Sequence, residues 1–162
     1  DKDFSRHANS GTRLNDYYCY AQDIVAAADG EVIAVVNGIS NAPFVGRFII
    51  DFMSRHMGGN HVIIKHADGE YGFYAHLVKN SIPVKPGDRV EAGQKIGECG
   101  HSGYSTEPHL HFQLQDTPSF FTSLGLPMQF HHVAVNGEYK VKTEIERASF
   151  VAHPPKKFSE FG

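Results

Sequence analysis

Residues 106–116 read Thr-Glu-Pro-His-Leu-His-Phe-Gln-Leu-Gln-Asp, TEPHLHFQLQD, and their alternation gives the first hold on the fold. A strand sends successive side chains to opposite faces, so Leu110, Phe112 and Leu114 share one face, and His109, His111 and Gln113 share the other. Laying the apolar face on a core leaves two imidazoles side by side on a polar face. There they are either part of a metal site or the solvated side of a half-buried strand. A third histidine sharpens the choice. Residues 71–77, YGFYAHL, carry His76 on a second predicted strand, where it is either functional or a partly buried imidazole bonded to a backbone carbonyl.

Working outward, the rest of the chain reads as β structure. Short apolar blocks lie between Gly, Pro, Asn and Asp punctuation, and strands are expected at 31–36, 60–66, 71–77, 95–100 and 109–115, with a further pair around Asn136-Gly137. Ala67-Asp68-Gly69 joins two of them as a tight hairpin. VAVNGEYKV, residues 133–141, is a second hairpin, with Asn-Gly supplying the positive φ angles of a type I′ turn. The expected class is all-β and mainly antiparallel. The chain turns irregular between 117 and 127, and the tail AHPPKKFSEFG reads as a loosely held terminus.

Composition bounds what such a chain does. With 162 residues, 41% hydrophobic and 20% charged, it has material for a sizeable core. A formal charge of -3 with interspersed signs presents no basic stripe for nucleic acid, and no apolar run approaches the roughly 18 residues of a membrane span. The chain begins at Asp1, which reads as a processed or excised piece. Cys19 and Cys99 are either a disulfide or two thiols, and two cysteines are no disulfide framework. Histidine stands out at 11 residues, five of them at positions 61, 66, 76, 109 and 111.

The order GNHVIIKHADGEYGFYAHL (59–77), then VKPGDRVEAGQKIGECGHSGYSTEPHLHFQL (84–114), preceded by IVAAADGEVIAV (24–35), resembles the core of the lysostaphin-type zinc endopeptidases, which cut short peptides in bacterial peptidoglycan. The resemblance spans about residues 15–115. It implies a duplicated-hybrid-motif β-sandwich or open barrel, a bound Zn2+, peptidoglycan peptides as substrate and an extracytoplasmic setting. It assigns His111 as a zinc ligand, with His109 and His76 as catalytic histidines. A zinc on three protein ligands keeps a position for water and lowers its pKa towards neutrality. An imidazole such as His109 is suited to take the proton of that water, and His76 to steady the charge developing on the carbonyl oxygen. Gly97, Gly100 and Gly103 fall in the turns that deliver the His109–His111 strand, and Pro108 fixes its entry. The expected division is a metallopeptidase-like domain over 1–130, followed by a C-terminal hairpin and tail over 131–162.

One element departs from the pattern. Members of this family supply two further ligands from a His-x-x-x-Asp element, and the chain has none. Counting back from Val25 brings Asp16 to the aspartate position, but Thr12 then stands where the histidine belongs. A different register puts the ligand pair upstream of Asp1, so the N-terminal part of the domain would be missing and zinc bound weakly or not at all. His7 enters as a ligand only if the N-terminal loop folds back. Two readings of function follow: a zinc endopeptidase, intact or incapacitated in this chain, and a non-catalytic binding or regulatory module on the same fold. The retention of His76, His109 and His111 favours the enzyme. Two further readings rank lower. Residues 84–100 resemble a biotinyl or lipoyl carrier hairpin, but neither Lys65 nor Lys79 sits at a suitable turn. A Cys99 nucleophile lacks an acidic partner for His101.

Overall fold

The computed structural model describes residues 5–42, 45, 57–146 and 149–152. Its elements are a 3-10 turn at Leu14–Asp16 and ten strands: β1 Asp23–Val25, β2 Gly30–Val36, β3 Asn60–Ala67, β4 Glu70–Leu77, β5 Arg89–Val90, β6 Lys95–Glu98, β7 His111–Gln115, β8 Phe130–Val135, β9 Glu138–Thr143 and β10 Val151–Ala152. Every strand pairing is antiparallel. The tail at 153–162 lies outside the described residues.

Contacts divide the chain into two units, 1–126 and 127–162. The first holds a five-stranded sheet in the order β5-β2-β3-β4-β7 and a two-stranded β1-β6 sheet. Among the described residues, neither has an outer strand that pairs back to close the sheet. In the second unit, β8 is flanked by β9 and β10. Its β8-β9 turn has Asn136 at φ 51° and Gly137 at φ 84°, the two positive angles a type I′ hairpin demands.

The five-stranded sheet is covered on both faces, which explains the unbroken apolar runs Val62-Ile63-Ile64 in β3 and Phe73-Tyr74-Ala75 in β4 in place of alternation. Val62, Ile64, Tyr74 and Leu77 join Val32, Val90 and Ile96 in one core, with Leu110 and Phe112 packed against it. On the opposite face Ile63, Phe73 and Ala75 form a second, smaller core under Phe120. The polar side of β7 is therefore not the wet face its alternation suggests. Gln115 is 0% exposed, and the His111 ring lies edge-on to Phe73 and Phe120, with centroids 6.0 and 6.2 Å away. The cover comes from the irregular segment after β7, which turns back so that Leu126 N–H donates to the Leu114 carbonyl at 2.8 Å and Asp116 N–H to that of Leu124 at 3.1 Å.

Several histidines serve this framework. The His66 Nδ1–H donates to the Asp29 carbonyl at 2.9 Å, leaving Nε2 to accept from the Tyr74 hydroxyl at 3.3 Å. The Tyr74 oxygen in turn accepts the Ala27 N–H at 2.9 Å. Burial pushes the Tyr74 phenol up to about 12, so it remains a hydroxyl and a dependable tie between β4 and the turn before β2.

Candidate functional site: three converging histidines

The geometry of the site begins with an irregularity in β4. Strict alternation from Tyr74 would put His76 on Tyr74's side, in the first core, and Leu77 on the other. Instead Tyr74 and Leu77, three residues apart, both belong to the first core. The register of β3 and β4 slips between the Asn60–Leu77 and Val62–Tyr74 pairs. The slip is made at His76, whose φ is +63°, a left-handed conformation that a histidine tolerates better than most residues. A strand irregularity of this kind re-aims a side chain. Here the His76 ring comes to lie 4.7 Å from the His109 ring and 6.0 Å from the His111 ring, centroid to centroid.

The kink is held from below. Ser102 Oγ donates to the Leu77 carbonyl at 2.7 Å and accepts the Asn60 N–H at 2.9 Å. Asn60 Nδ2 adds a second bond to the Leu77 carbonyl at 2.9 Å. Both side chains are fully buried, so each polar atom needs the partner it has. The loop before β7 packs backbone to backbone here. A Cβ on Gly100 would stand 2.6 Å from Val78 N and 2.8 Å from the His76 carbonyl oxygen, and one on Gly103, at φ +73°, 2.3 Å from Gly59 N. These two glycines are required by close approach.

Hydrogen bonds set the tautomer of two rings. His76 Nδ1 lies 2.8 Å from the Ser102 carbonyl and His109 Nδ1 lies 2.8 Å from the Glu107 carbonyl. A carbonyl only accepts, so each Nδ1 carries a proton and each Nε2 is left to exchange one. Burial lowers the His76 pKa to about 4, against the bond to Ser102 that raises it. At neutral pH His76 Nε2 is consequently a lone pair, which accepts rather than donates. Ser105 braces His109: its hydroxyl donates to the Glu107 carbonyl at 2.7 Å and its oxygen accepts the His101 Nδ1–H at 2.9 Å. His101 is 2% exposed and supports this loop, while Cys99 is 2% exposed, with its hydrogen bond to Cys19 and its burial pushing the thiol up. Both cysteines are free thiols.

Sequence reasoning missed Ser102, Asn60 and Ser105 as supports of the site. For Ser102 and Ser105 the signal was present only as the polar run HSGYST, whose small residues look like any loop, and Asn60 stood at the head of a strand like any other polar residue. His76 and His111 line a cleft of about 180 Å3, walled by Met57, Phe73, Tyr104 and Phe120.

The N-terminal loop does fold back. Arg6 pairs with Glu107, and the Ala8 N–H donates to the Asp16 carbonyl at 2.8 Å. His7, however, packs against Tyr17, ring centroids 5.2 Å apart. The Asp16 carboxylate is taken up by its own turn, accepting from Asn9 Nδ2 and Arg13 N–H, both at 3.2 Å. The Arg13 bond foremost holds that carboxyl below its usual range. Among the described residues no three His, Cys, Asp or Glu side chains come together to hold a metal ion. The zinc implied by the resemblance thus finds one prospective ligand, His111, and not a complete shell.

Antiparallel sheets thus bring the His109 and His111 rings beside that of His76, with His76 and His111 lining one cleft, and the comparisons say to which class of protein such a chain belongs. Residues 10–121 match the model of Peptidase family M23, and the chain belongs to that family. Over 124 residues it is 36% identical to the glycyl-glycine endopeptidase ALE-1 of Staphylococcus capitis, covering 67% of this chain and 34% of that protein. It is 46% identical over 56 residues to the peptidoglycan DD-endopeptidase ShyA of Vibrio cholerae, covering 35% of this chain and 13% of that one. The chain thus spans about a third or less of the length of these relatives. The solved catalytic domain of lysostaphin from Staphylococcus simulans aligns over 75% of this chain and 85% of that domain, at 27% identity and a TM-score of 0.48. No helix among the described residues is long and apolar enough to cross a membrane.

Proposed function

We propose that this chain is an endopeptidase domain acting on the peptides of bacterial peptidoglycan outside the cytoplasm, with His76 and His109 as its proton-handling pair and His111 as its metal-binding histidine. The observation that carries the reading is the convergence of the three rings with Nδ1 of His76 and of His109 each spent on a main-chain carbonyl. Anchored in this way, an imidazole cannot turn, and proton exchange is confined to Nε2. His109 is the base that takes the proton of the attacking water and returns it to the leaving amine. His76, close by and neutral, is the second acceptor. It steadies charge on the carbonyl oxygen only in a form carrying a proton on Nε2, which burial disfavours. A zinc bound here would supply the Lewis acidity that activates such a water. In this chain such a metal would take His111, with other ligands needed to fill the four-coordinate shell.

The test is hydrolysis of peptidoglycan-derived peptides by wild type, His109→Ala and His111→Ala, with metal content measured alongside. His109→Ala is expected to lose about 10²-fold or more in rate, the usual worth of a positioned base, while its metal content stays near that of wild type. His111→Ala is expected to lose hydrolysis, together with whatever substoichiometric zinc the wild type takes up when zinc is added. Unchanged hydrolysis in either variant removes that histidine from the mechanism. A second reading has its own support, because the described residues do not assemble a metal site. A non-catalytic module would bind peptidoglycan, hydrolyse nothing with or without added zinc, and keep its binding in His109→Ala.

A further inference from the structure

His111 differs from its two neighbours in which nitrogen is engaged. Among the described residues its hydrogen-bond partner is found at Nε2: Gln113 Oε1 at 2.9 Å. Gln113 Nε2 donates to Gln115 Oε1 at 2.6 Å, and Gln115 Nε2 donates to the Thr117 carbonyl at 2.7 Å. The three side chains stand on one face of β7 because they are two residues apart. Gln115 is 0% exposed, so its amide finds its partners within the protein, while His111 and Gln113 are half-buried.

The direction of the chain of bonds follows from its far end. A main-chain carbonyl only accepts, so Gln115 must present its amide nitrogen to Thr117 and its oxygen to Gln113. Gln113 must then present its own nitrogen to Gln115 and its oxygen to His111. An amide oxygen only accepts, so His111 carries its proton on Nε2. We infer that Gln113, Gln115 and the Thr117 carbonyl form a one-way relay that holds His111 as the Nε2–H tautomer, leaving Nδ1 as the ring's electron-pair donor. Gln113 and Gln115 are then positioning residues, acting through His111 and touching no substrate.

This arrangement gives the three histidines opposite polarity within one cluster: Nε2 is unprotonated in His76 and His109, and Nδ1 in His111. It also deepens the proposed function, on which its relevance to catalysis rests. A ring free to exchange tautomers would offer the wrong nitrogen part of the time, and a hydrogen bond to the amide biases the tautomers by about tenfold.

The test reads the tautomer directly, with no substrate present. Histidine labelled with 15N in the full chain reports which His111 nitrogen bears the proton at neutral pH, His111→Asn serving to assign the signals. Wild type is expected to show Nε2–H with Nδ1 unprotonated. Gln115→Met, four residues from His111 and joined to it in the relay only by way of Gln113, frees Gln113 to turn its amide nitrogen towards the ring, and the Nδ1–H form is expected to rise about tenfold. Gln113→Glu keeps an acceptor facing Nε2 and should retain the wild-type tautomer, which a purely packing role for Gln113 does not require. Should Gln115→Met fail to fold, Gln113→Leu carries the same expectation of mixed tautomers. Nδ1–H in wild type, or an unmoved tautomer in the folded Gln115→Met or Gln113→Leu variant, overturns the relay. Since these signals do not depend on hydrolysis, an inactive protein with the expected tautomers would contradict the proposed function and leave the relay standing.

Discussion

His76 shows how much one residue's surroundings decide. Its imidazole is 6% exposed and its pKa is lowered to about 4, chiefly by burial. An unfolded chain binds a proton at this position below about pH 6.5, whereas the folded chain resists until about pH 4. The unfolded state therefore holds more protons between those values, and stability falls as pH drops through that window. From pH 7 to pH 5 the loss attributable to His76 is about 2 kcal/mol. His76→Asn, which tolerates the left-handed backbone and does not titrate, should flatten the pH dependence of urea unfolding by that amount. An identical slope in wild type and variant would show that His76 is not held neutral by its burial. Asp16 makes the complementary point: a carboxylate at a promising position in the sequence is already saturated by Asn9 and Arg13.

Among the elements, β7 and the loop that feeds it bear most directly on function. Alternation placed the strand at 109–115, and it spans His111–Gln115. The difference arises because Pro108 has no N–H to give and the His109 N–H goes to the Gly100 carbonyl at 3.3 Å. His109 is therefore a loop residue held by Glu107, not a strand residue held by a ladder. Gly100 is the critical packing point of this loop. Gly100→Ala would push a methyl to within 3 Å of the backbone of His76, Leu77 and Val78, at a cost of about 1–3 kcal/mol. Thermal melting and hydrolysis should both suffer, since the strand that must shift is the one that carries His76. A variant as stable as wild type would mean that the loop has slack and does not brace the kink. In the second unit, Gly137→Ala at φ +84° should cost about 1 kcal/mol through strain alone, with hydrolysis unaffected.

For the whole molecule, the open questions concern metal and domain independence. Zinc prefers four ligands, and the described residues bring one prospective ligand to the cleft, so the purified chain is expected to retain far less than one zinc per molecule after dialysis. Stoichiometric zinc, by elemental analysis, would show that other residues of the chain complete the shell. The division after Leu126 leads to a second expectation. A chain ending at Leu126 keeps both cores of the first unit and the returning segment over β7, so it should unfold in one cooperative transition and retain the His111 tautomer. Failure to fold would mean that residues 127–162 are part of the same domain.

What the sequence determined by itself is local in origin. Period-two alternation in 109–115, continuous apolar runs in β3 and β4, and the Asp-Gly and Asn-Gly turns specify antiparallel strands because each depends on backbone geometry within a few residues. The order of motifs carried the family membership for the same reason, as a string of short local patterns. Tertiary structure decided the rest. Alternation puts His76 in the core, and only the kink, held by Ser102 and Asn60 from distant segments, turns it to His109 and His111. The polar face of β7 is partly covered by Phe120, which packs against His111 and lies after the strand in an irregular stretch with no period to read. The proton positions on all three imidazoles follow from acceptors that the fold brings up, the carbonyls of Ser102 and Glu107 and the amide of Gln113, and a histidine's name in a sequence carries no information about which of its nitrogens will meet one.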